Sequence, residues 1–438
     1  MEIKVAKFGG SSLSDASQFE KVANIIAQDP TRRYIIASAP GRNANYPRKV
    51  TDQLYSVSQI RLTGGDYEGT LGRVFERFLE IREALGLKTD LEAEFEAIRQ
   101  RIARGACEDY IVSRGEYLNS KLLSDYIGYD FVDAANGILF NNRGSFDSEK
   151  TNPHLRQLLK GHERAVIPGF YGSKPDDTIV TFTRGGSDIT GAIVARATSA
   201  VLYENWTDVS GVLMADPGCI KNPKTIPVIT YKELRELAYM GAAVLHDEAI
   251  FPVRYVGIPI NIKNTNAPNE PGTLIVPRAD QTVPKTVITG IAGRMGFTSI
   301  SVEKDMMNTE IGFGRRVLEA VEDCGLCFEH LPSGIDTMSV IVNSHDFKPH
   351  RAKIVSDIYR MTNPDALIID EHLALIAIVG RGMAHNTGTA GRIFASLAKA
   401  KISVKLIDQG SSGINIIVGV EEKDFHDAIA AIYYEFVK

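Results

Sequence analysis

Lys7-Phe8-Gly9-Gly10-Ser11-Ser12 follows a short apolar run and precedes an amphipathic stretch over residues 18–26. This order predicts a strand, a two-glycine turn and a helix. Glycine lets backbone N–H groups face a ligand without a Cβ in the way, and a helix start adds unpaired donors and a positive dipole end. Lys7 would add a mobile cation. The stretch predicts a phosphate site, although a Gly-Gly turn after a first strand also occurs as plain structure.

The spacing of these glycines disfavours two common nucleotide-binding motifs. It is neither the Gly-x4-Gly-Lys-Ser/Thr pattern of a P-loop nor the Gly-x-Gly-x-x-Gly pattern of a dinucleotide-binding fold. The ligand has to be identified from the rest of the chain.

Strand and helix signals alternate through residues 1–280, which predicts an α/β fold with a mainly parallel sheet and helices on both faces. Residues 66–127 are almost wholly helical in pattern and predict a helical insertion. Ligands of open α/β sheets bind beyond the carboxyl ends of the strands, where Lys7, Ser38 and Arg184 are expected. The strand-like runs are residues 34–37, 164–167, 178–182, 200–203 and 258–262.

A second strand, Gly-Gly and helix signal ends in Arg184-Gly185-Gly186-Ser187-Asp188. The planar fork of an arginine suits a carboxylate, so Arg184 before two glycines favours a ligand clamp. Ser187 and Asp188 begin the helix, where each could also be a cap. Glu116 lies in the helical insertion and is either part of a solvated face or, if it points into the cleft, a partner for an ammonium group. Arg184 and Glu116 together would recognise an α-amino acid.

The tail of the chain repeats itself. After a boundary rich in proline near residues 265–287, residues 312–342 align without gaps on residues 388–418. Each copy has the pattern strand, helix, strand, glycine-bearing turn, strand. Two copies of one small unit predict a paired regulatory module.

Composition bounds the classes of protein. A chain of 438 residues predicts two or three domains, and 44% hydrophobic with 24% charged residues is ordinary for a globular protein. A net charge of −5 gives no case for nucleic acid or an anionic membrane. Without a signal peptide or a long apolar run, a cytoplasmic location is the default expectation. Cys324 and Cys327 stand alone as a pair and are expected to pack, and no metal site is expected from the cysteines or histidines.

Four motifs resemble those of the aspartate kinases, in that family's order, and the tail resembles its tandem ACT domains. The motifs are Lys7-Phe8-Gly9-Gly10-Ser11-Ser12, Ser113-Arg114-Gly115-Glu116, Arg184-Gly185-Gly186-Ser187-Asp188 and Trp206-Thr207-Asp208-Val209-x-Gly211. The resemblance covers essentially the whole chain. It implies an amino-acid kinase domain at residues 1–285 and ACT domains, each ferredoxin-like αβ, at residues 286–365 and 366–438. The implied reaction is ATP-dependent phosphorylation of the L-aspartate side chain, with ATP and Mg²⁺ as cofactors.

The resemblance also implies roles for individual residues. Lys7 and Asp188 are the expected catalytic residues, and no proton acceptor is required because the substrate carboxylate is already ionised at neutral pH. The residues expected to hold aspartate are Ser38, Thr51, Glu116, Arg184 and Ser187. The residues expected around ATP are Lys7, Gly9, Gly10, Ser11, Thr207, Asp208, Gly211, Asp216 and Val244. Three departures concern the nucleotide site, since Leu213, Gly218 and Ala243 stand where many members have a tyrosine, a basic residue and a second phosphate-binding lysine.

For the tail, the resemblance implies binding of an end-product amino acid, lysine or threonine or both. The effector is expected between first ACT domains of two subunits, in a homodimer or dimer of dimers. The residues expected near it are Met307, Asn308, Glu310, Ile335 and Asp336. Two other interpretations stay open from the residues, namely an amino-acid kinase acting on glutamate or acetylglutamate, and a non-catalytic amino-acid sensor.

Overall fold

The computed structural model describes residues 2–183, 185–242, 245, 247–278, 286–410 and 412–437, without the side chains of residues 247–250. Its chain divides into two compact units. The first contains Met1–Val212, Thr225–Tyr231 and Val244–Ala279, and the second contains Leu213–Lys224, Lys232–Ala243 and Asp280–Lys438. The second unit therefore includes two short segments that precede the C-terminal repeats in the sequence.

The first unit is built on an eight-stranded sheet with the order β3-β4-β2-β1-β7-β9-β10-β8. All neighbours in it are parallel except β9 and β10, so the prediction of a mainly parallel sheet is confirmed. Its strands are β1 (Lys4–Phe8), β2 (Arg32–Ala37), β3 (Asp130–Phe131), β4 (Ala165–Pro168), β7 (Leu202–Thr207), β8 (Val228–Thr230), β9 (Ile260–Asn264) and β10 (Thr273–Val276); a separate hairpin contains β5 (Tyr171–Ser173) and β6 (Ile179–Thr181).

The helices pack in two groups against this sheet. One group centres on α5, which contacts β2, β3 and β4, and the other on α7, which contacts β1, β2 and β7. The helices of the first group are α1 (Ala16–Ala27), α2 (Val50–Leu62), α3 (Glu68–Leu85), α4 (Leu91–Ala103) and α5 (Glu108–Ile127); those of the second are α6 (Ser148–Leu159), α7 (Gly186–Thr198) and α9 (Asp247–Arg254). Helix α8 (Tyr231–Tyr239) starts at the last residue of a first-unit segment. The helices α3 to α5 account for the helical pattern over residues 66–127.

Two local expectations were wrong. Residues 178–182 do contain a strand, but β6 pairs only with β5 and lies outside the main sheet. Helix α1 does not start at the glycine turn, because a 3-10 turn (Gly10–Leu13) intervenes. The N-cap Asp15 accepts from the N–H of Gln18, so this N-terminal donor of α1 is directed to the cap rather than to a ligand.

The second unit contains a six-stranded antiparallel sheet with the order β12-β13-β11-β14-β16-β15. Strands β11 and β14 pair along nearly their whole length, from Gly290 opposite Val379 to Glu303 opposite Ala366. Its strands are β11 (Gly290–Glu303), β12 (Phe328–His330), β13 (Thr337–Asn343), β14 (Ala366–Val379), β15 (Leu406–Asp408) and β16 (Asn415–Glu421), and its helices are α10 (Phe313–Glu322), α11 (Ser344–Phe347), α12 (Arg351–Thr362), α13 (Thr389–Lys399) and α14 (Phe425–Phe436).

The predicted repeat is visible in this order of elements. Helices α10 and α13, and strands β13 and β16, are corresponding elements of the two copies. The first copy buries an apolar core that includes Val317, Val340 and Ile358, and Cys324 packs against it. Cys327 is exposed, so the expectation that both cysteines pack was wrong for that residue. Among the described residues, no helix is long and apolar enough to cross a membrane.

Candidate active site

A cleft of about 710 Å³ lies at the carboxyl ends of neighbouring strands of the first unit. Strands β1, β2, β4 and β7 are adjacent and parallel, and the loops that follow them contribute to its walls. This is the edge at which open α/β sheets bind ligands. The predicted residues that line it are Lys7, Gly9, Gly10, Ser11, Ser38, Thr51, Glu116, Ser187, Asp188, Thr207 and Asp208.

The loop after β1 packs closely on the loop after β2. A Cβ on Gly10 would lie 2.8 Å from the carbonyl oxygen of Ala39, so this position has no room for another side chain. The N–H of Gly41 donates to the carbonyl of Gly10 over 2.8 Å. The side chain of Asn119 on α5 donates to the carbonyl of Ser38, which ties the second loop to the helical insertion. The smallness of Gly10 therefore serves loop packing, in addition to any approach of a ligand.

Lys7 and Asp188 form an ion pair within the cleft, with 2.6 Å between Nζ and Oδ1. Lys7 lies near the end of β1 and Asp188 in the first turn of α7. Lys7 also donates to Oδ1 of Asn205, a residue of β7 that the sequence analysis did not single out. The side chains of Lys7 and Asp188 are only 10% and 18% exposed, which limits solvent screening of the pair.

Glu116 is a buried carboxylate in the wall of the cleft. Helix α5 can approach the loop after β2 because residue 115 is glycine, where a Cβ would lie 2.9 Å from the Cβ of Ala39. The Glu116 side chain accepts a hydrogen bond from the backbone of Ala39, and its Oε2 is buried without a partner among the described residues. Burial raises the pKa of Glu116 to about 8, an effect that the Ala39 bond and the charge of Arg114 only partly offset. An ammonium group would satisfy the unpaired oxygen.

Two of the described residues that the sequence predicts for the site, Gly211 and Asp216, do not line the cleft. Gly211 has a φ of +99° and a Cβ there would lie 2.4 Å from Oγ1 of Thr273, so its role in the structure is to allow a turn. Asp216 belongs to the second unit, where its Oδ1 accepts from the N–H of Gly218. Arg184 and Val244 lie outside the described residues.

The sequence analysis missed several residues that line the cleft. Arg42, Lys49, Tyr55 and Phe170 all contribute to its surface. Arg42 and Lys49 are exposed cations on the loop between β2 and α2, so the cleft has positive charge besides Lys7. A signal was present in the basic residues of 42–49, but nothing in their spacing indicated that the loop turns towards the glycine motif.

The residues expected around an effector cluster in the second unit. The N–H of Asn308 donates to the carbonyl of Ile335, and the N–H of Met306 donates to Oδ1 of Asp336. Glu310 pairs with Lys304 over 2.7 Å and with Arg316. Met307 is buried beneath this cluster, whereas the Ile335 side chain is 69% exposed. The turn at residues 332–336 and the 3-10 turn at Met307–Thr309 therefore form one surface.

Comparisons with known proteins are consistent with this architecture. The model of the amino acid kinase family matches residues 2–264, and a model of an ACT domain matches residues 376–436. Aspartokinase 3 of Bacillus subtilis is 38% identical over 99% of this chain and 98% of its own length. The crystal structure of Clostridium acetobutylicum aspartate kinase superposes with a TM-score of 0.91 at 46% identity over 100% of both chains. E. coli aspartokinase III, crystallised with aspartate and ADP, has a TM-score of 0.74 and 21% identity over 100% of both chains, a likeness of fold.

Proposed function

Because this chain belongs to the amino acid kinase family, with an aspartokinase among its full-length relatives, we propose that its cleft transfers the γ-phosphoryl group of ATP to the side-chain carboxylate of L-aspartate. A bond forms between a carboxylate oxygen and the γ-phosphorus, the bond from that phosphorus to the bridging oxygen breaks, and ADP leaves. The product is 4-phospho-L-aspartate.

The observation that carries the choice of an amino acid is Glu116. Its buried carboxylate has one oxygen without a partner among the described residues and faces a cleft that also contains a buried lysine. A free α-ammonium group fits this oxygen, whereas an N-acetylated substrate would present a neutral amide. The site therefore favours an unblocked amino acid over acetylglutamate, and the choice of aspartate follows from the relatives.

The electrostatic problem of the reaction is the approach of an anionic nucleophile to an anionic phosphate. The aspartate side chain has a reference pKa of about 3.9 and needs no general base at neutral pH. Lys7 places a largely buried positive charge in the cleft, and Arg42 and Lys49 add charge at its surface. Such positioning and charge stabilisation dominate catalysis of phosphoryl transfer.

Mg²⁺ fits this cleft as a companion of the nucleotide. The described residues contain no cluster of three or more potential metal ligands, so a resident metal cage has no support there. Magnesium commonly binds substrate phosphates together with one or two protein carboxylates, and Asp188 and Asp208 line the cleft as carboxylates of this kind. When bound, the ion would neutralise phosphate charge.

The second unit provides for regulation by an amino acid. The proposed effector surface includes Met307, Asn308, Glu310, Ile335 and Asp336, and two subunits would share it in a dimer or dimer of dimers. The support is the repeat, the ACT match in the second copy and the clustering of these residues.

A substrate panel tests the function. Release of ADP should require L-aspartate, and hydroxylamine should trap the acyl phosphate as a hydroxamate. L-Glutamate, N-acetylglutamate and carbamate should give at most a small fraction of this rate. Turnover on acetylglutamate would indicate the other kinase class, and no ADP release with any acceptor would indicate a sensor.

A further inference from the structure

Asn205 lies directly beside Lys7 in the sheet. The two residues are register partners on the adjacent parallel strands β7 and β1, so their side chains emerge on the same face. Asn205 is 3% exposed and lies in a strand whose other central residues are Tyr203, Glu204 and Trp206. A buried amide in the middle of a strand requires hydrogen-bond partners at both of its ends.

The amide of Asn205 has a partner at each end. Its Nδ2 donates to Oδ1 of Asp188 over 2.9 Å, and its Oδ1 accepts from Nζ of Lys7 over 3.2 Å. With the Lys7–Asp188 contact of 2.6 Å, the three side chains form a closed triangle. Only this orientation of the amide is favourable, because a flipped amide would place its NH₂ against an ammonium and its oxygen against a carboxylate.

The triangle fixes a direction for Lys7. An ammonium group has three donors, and here one is directed to Asp188 and one to Asn205. The direction of the third N–H is then determined. Without the amide, the lysine would keep the Asp188 contact as its one polar contact among the described residues, and it could rotate about that contact.

Strand β7 also holds the other partner of Lys7. The hydroxyl of Tyr203, two residues before Asn205 and on the same face, donates to the backbone carbonyl of Asp188 over 3.1 Å. The first turn of α7 is thus fixed to β7 through both the backbone and the side chain of Asp188.

We propose that Asn205 is a positioning residue for phosphoryl transfer, which holds Lys7 and Asp188 in register so that the remaining N–H of the lysine meets the transferred phosphate. This inference rests on the proposed kinase function. A displacement of about 1 Å at a reacting centre can lower a rate by about 100-fold. We therefore expect the loss of Asn205 to lower kcat.

The test compares two variants of neighbouring buried residues on β7. Asn205→Leu removes both hydrogen bonds at similar volume. Glu204→Gln is the control, since Glu204 points to the opposite face, where it accepts from Arg32 and Trp206. In folded protein, Asn205→Leu should lower kcat by about 10- to 100-fold with the KM of ATP and aspartate within about 3-fold. Glu204→Gln should lower the melting temperature and leave kcat within about 3-fold of wild type.

A second variant separates positioning from mere packing. Asn205→Asp keeps the shape of the side chain and an acceptor for Lys7, but it replaces the donor to Asp188 by a carboxylate oxygen. The positioning role predicts that kcat of folded Asn205→Asp falls by about 10-fold or more. A packing role predicts a kcat close to that of wild type, because the volume is unchanged.

The outcomes are distinguishable. If the wild-type protein does not phosphorylate aspartate, the proposed function fails. If wild type is active and folded Asn205→Leu keeps its kcat, or loses no more than Glu204→Gln does, the positioning role is overturned. A kcat close to that of wild type in folded Asn205→Asp overturns it as well.

Discussion

The ammonium of Lys7 lies 2.6 Å from Oδ1 of Asp188, so the buried cation of the cleft is paired within the protein itself. This contact directs the lysine side chain, and it avoids an uncompensated buried charge. A phosphate that enters the cleft adds to an existing set of contacts.

Replacement of Lys7 by alanine should lower kcat by about 100- to 1000-fold, with little change in the KM of aspartate, because the lost contact is made to the phosphate in the transition state. Steady-state kinetics with varied ATP and aspartate measures both constants. Lys4→Ala is the matched control, since Lys4 lies on the same strand and pairs with Asp29 over 2.7 Å. Turnover near that of wild type in Lys7→Ala would remove Lys7 from the mechanism.

Glu116 should make aspartate binding depend on pH. Its pKa of about 8 in the free protein means that the carboxyl is mostly protonated at neutral pH, whereas an ammonium partner favours the ionised form. Binding should therefore release a proton, and the affinity for aspartate should rise with pH up to about 8. Titration calorimetry in buffers of different ionisation enthalpy measures the released proton.

The Glu116 carboxyl should also make stability depend on pH, but here a rise in pH is unfavourable, whereas it favours aspartate binding. Its folded pKa lies above the unfolded value of 4.5, so between these limits the native state binds more protons than the unfolded state and loses stability as pH rises. The free energy of unfolding of Glu116→Gln should fall less than that of wild type between pH 5 and 8. Parallel pH dependences in the two proteins would contradict the buried, protonated state.

Arg184 is proposed as the carboxylate clamp of the substrate site from its sequence motif. Arg184→Ala should raise the KM of aspartate by about 10-fold or more while the KM of ATP stays within about 3-fold, since a charge-assisted pair is worth about 1.5–3 kcal/mol. Arg196→Ala, in the last turn of α7, is the control. An unchanged aspartate KM in Arg184→Ala would exclude Arg184 from the substrate site.

Arg77 on α3 joins the segments that follow β1 and β2, which both lead into the cleft. Its side chain is 1% exposed and donates to the carbonyls of Ser14 and Gly41. Burial lowers the pKa of Arg77 to about 10, which leaves it protonated at neutral pH. Arg77→Met should destabilise the protein by about 1–3 kcal/mol, because the buried carbonyl of Gly41 loses the Arg77 donor and that of Ser14 keeps a 3.4 Å bond from Asn43.

Urea unfolding of Arg77→Met beside Arg73→Met measures this effect. Arg73 lies one turn earlier on α3, is exposed and donates to Thr70 of the same helix, so its replacement should change stability by less than about 0.5 kcal/mol. Equal stabilities of the two variants would show that the Arg77 contacts contribute little.

The proposed effector surface predicts inhibition by an end-product amino acid. Lysine, threonine and methionine should be titrated against activity, singly and in pairs. Asp336→Asn should raise the concentration for half-inhibition by about 10-fold, since its carboxylate is the exposed acidic group of the turn. Ser412→Ala, at the corresponding position of the second copy, should have no such effect. If neither lysine, threonine nor methionine inhibits, singly or in pairs, the proposed effector role of the second unit is wrong.

The sequence patterns predict those features that depend on local order. Alternating strand and helix signals predict the parallel sheet, and the 76-residue offset predicts two equivalent copies, because periodicity and turn residues are local properties. The reverse direction of β10 and the separation of the β5–β6 hairpin are not predictable in this way. An apolar run predicts a strand without giving its direction or its neighbours.

The residues of the candidate site also differ in whether a local pattern predicts them. The glycine motifs identify the loops around Lys7 and Asp188, and the family resemblance identifies Glu116. Asn205 is recognisable in the sequence as a lone amide within the strand Leu202–Thr207. Its contact with Lys7, however, follows only from the register of that strand with β1. Arg77 holds Gly41, just before the loop of residues 42–49, from 36 positions away in the sequence. Such long-range contacts are properties of the fold and are absent from any local pattern.

The long pairing of β11 with β14 has a consequence for the order of events on the ribosome. Gly290 finds its partner only when Val379 has been synthesised, about 90 residues later. At about 5–20 residues per second, the first half of β11 remains a strand without its β14 partner, and thus an open edge, for roughly 5–20 s. A nascent chain that stalls between the two copies would expose that edge, so we expect this interval to be the time at which the growing protein most needs a chaperone.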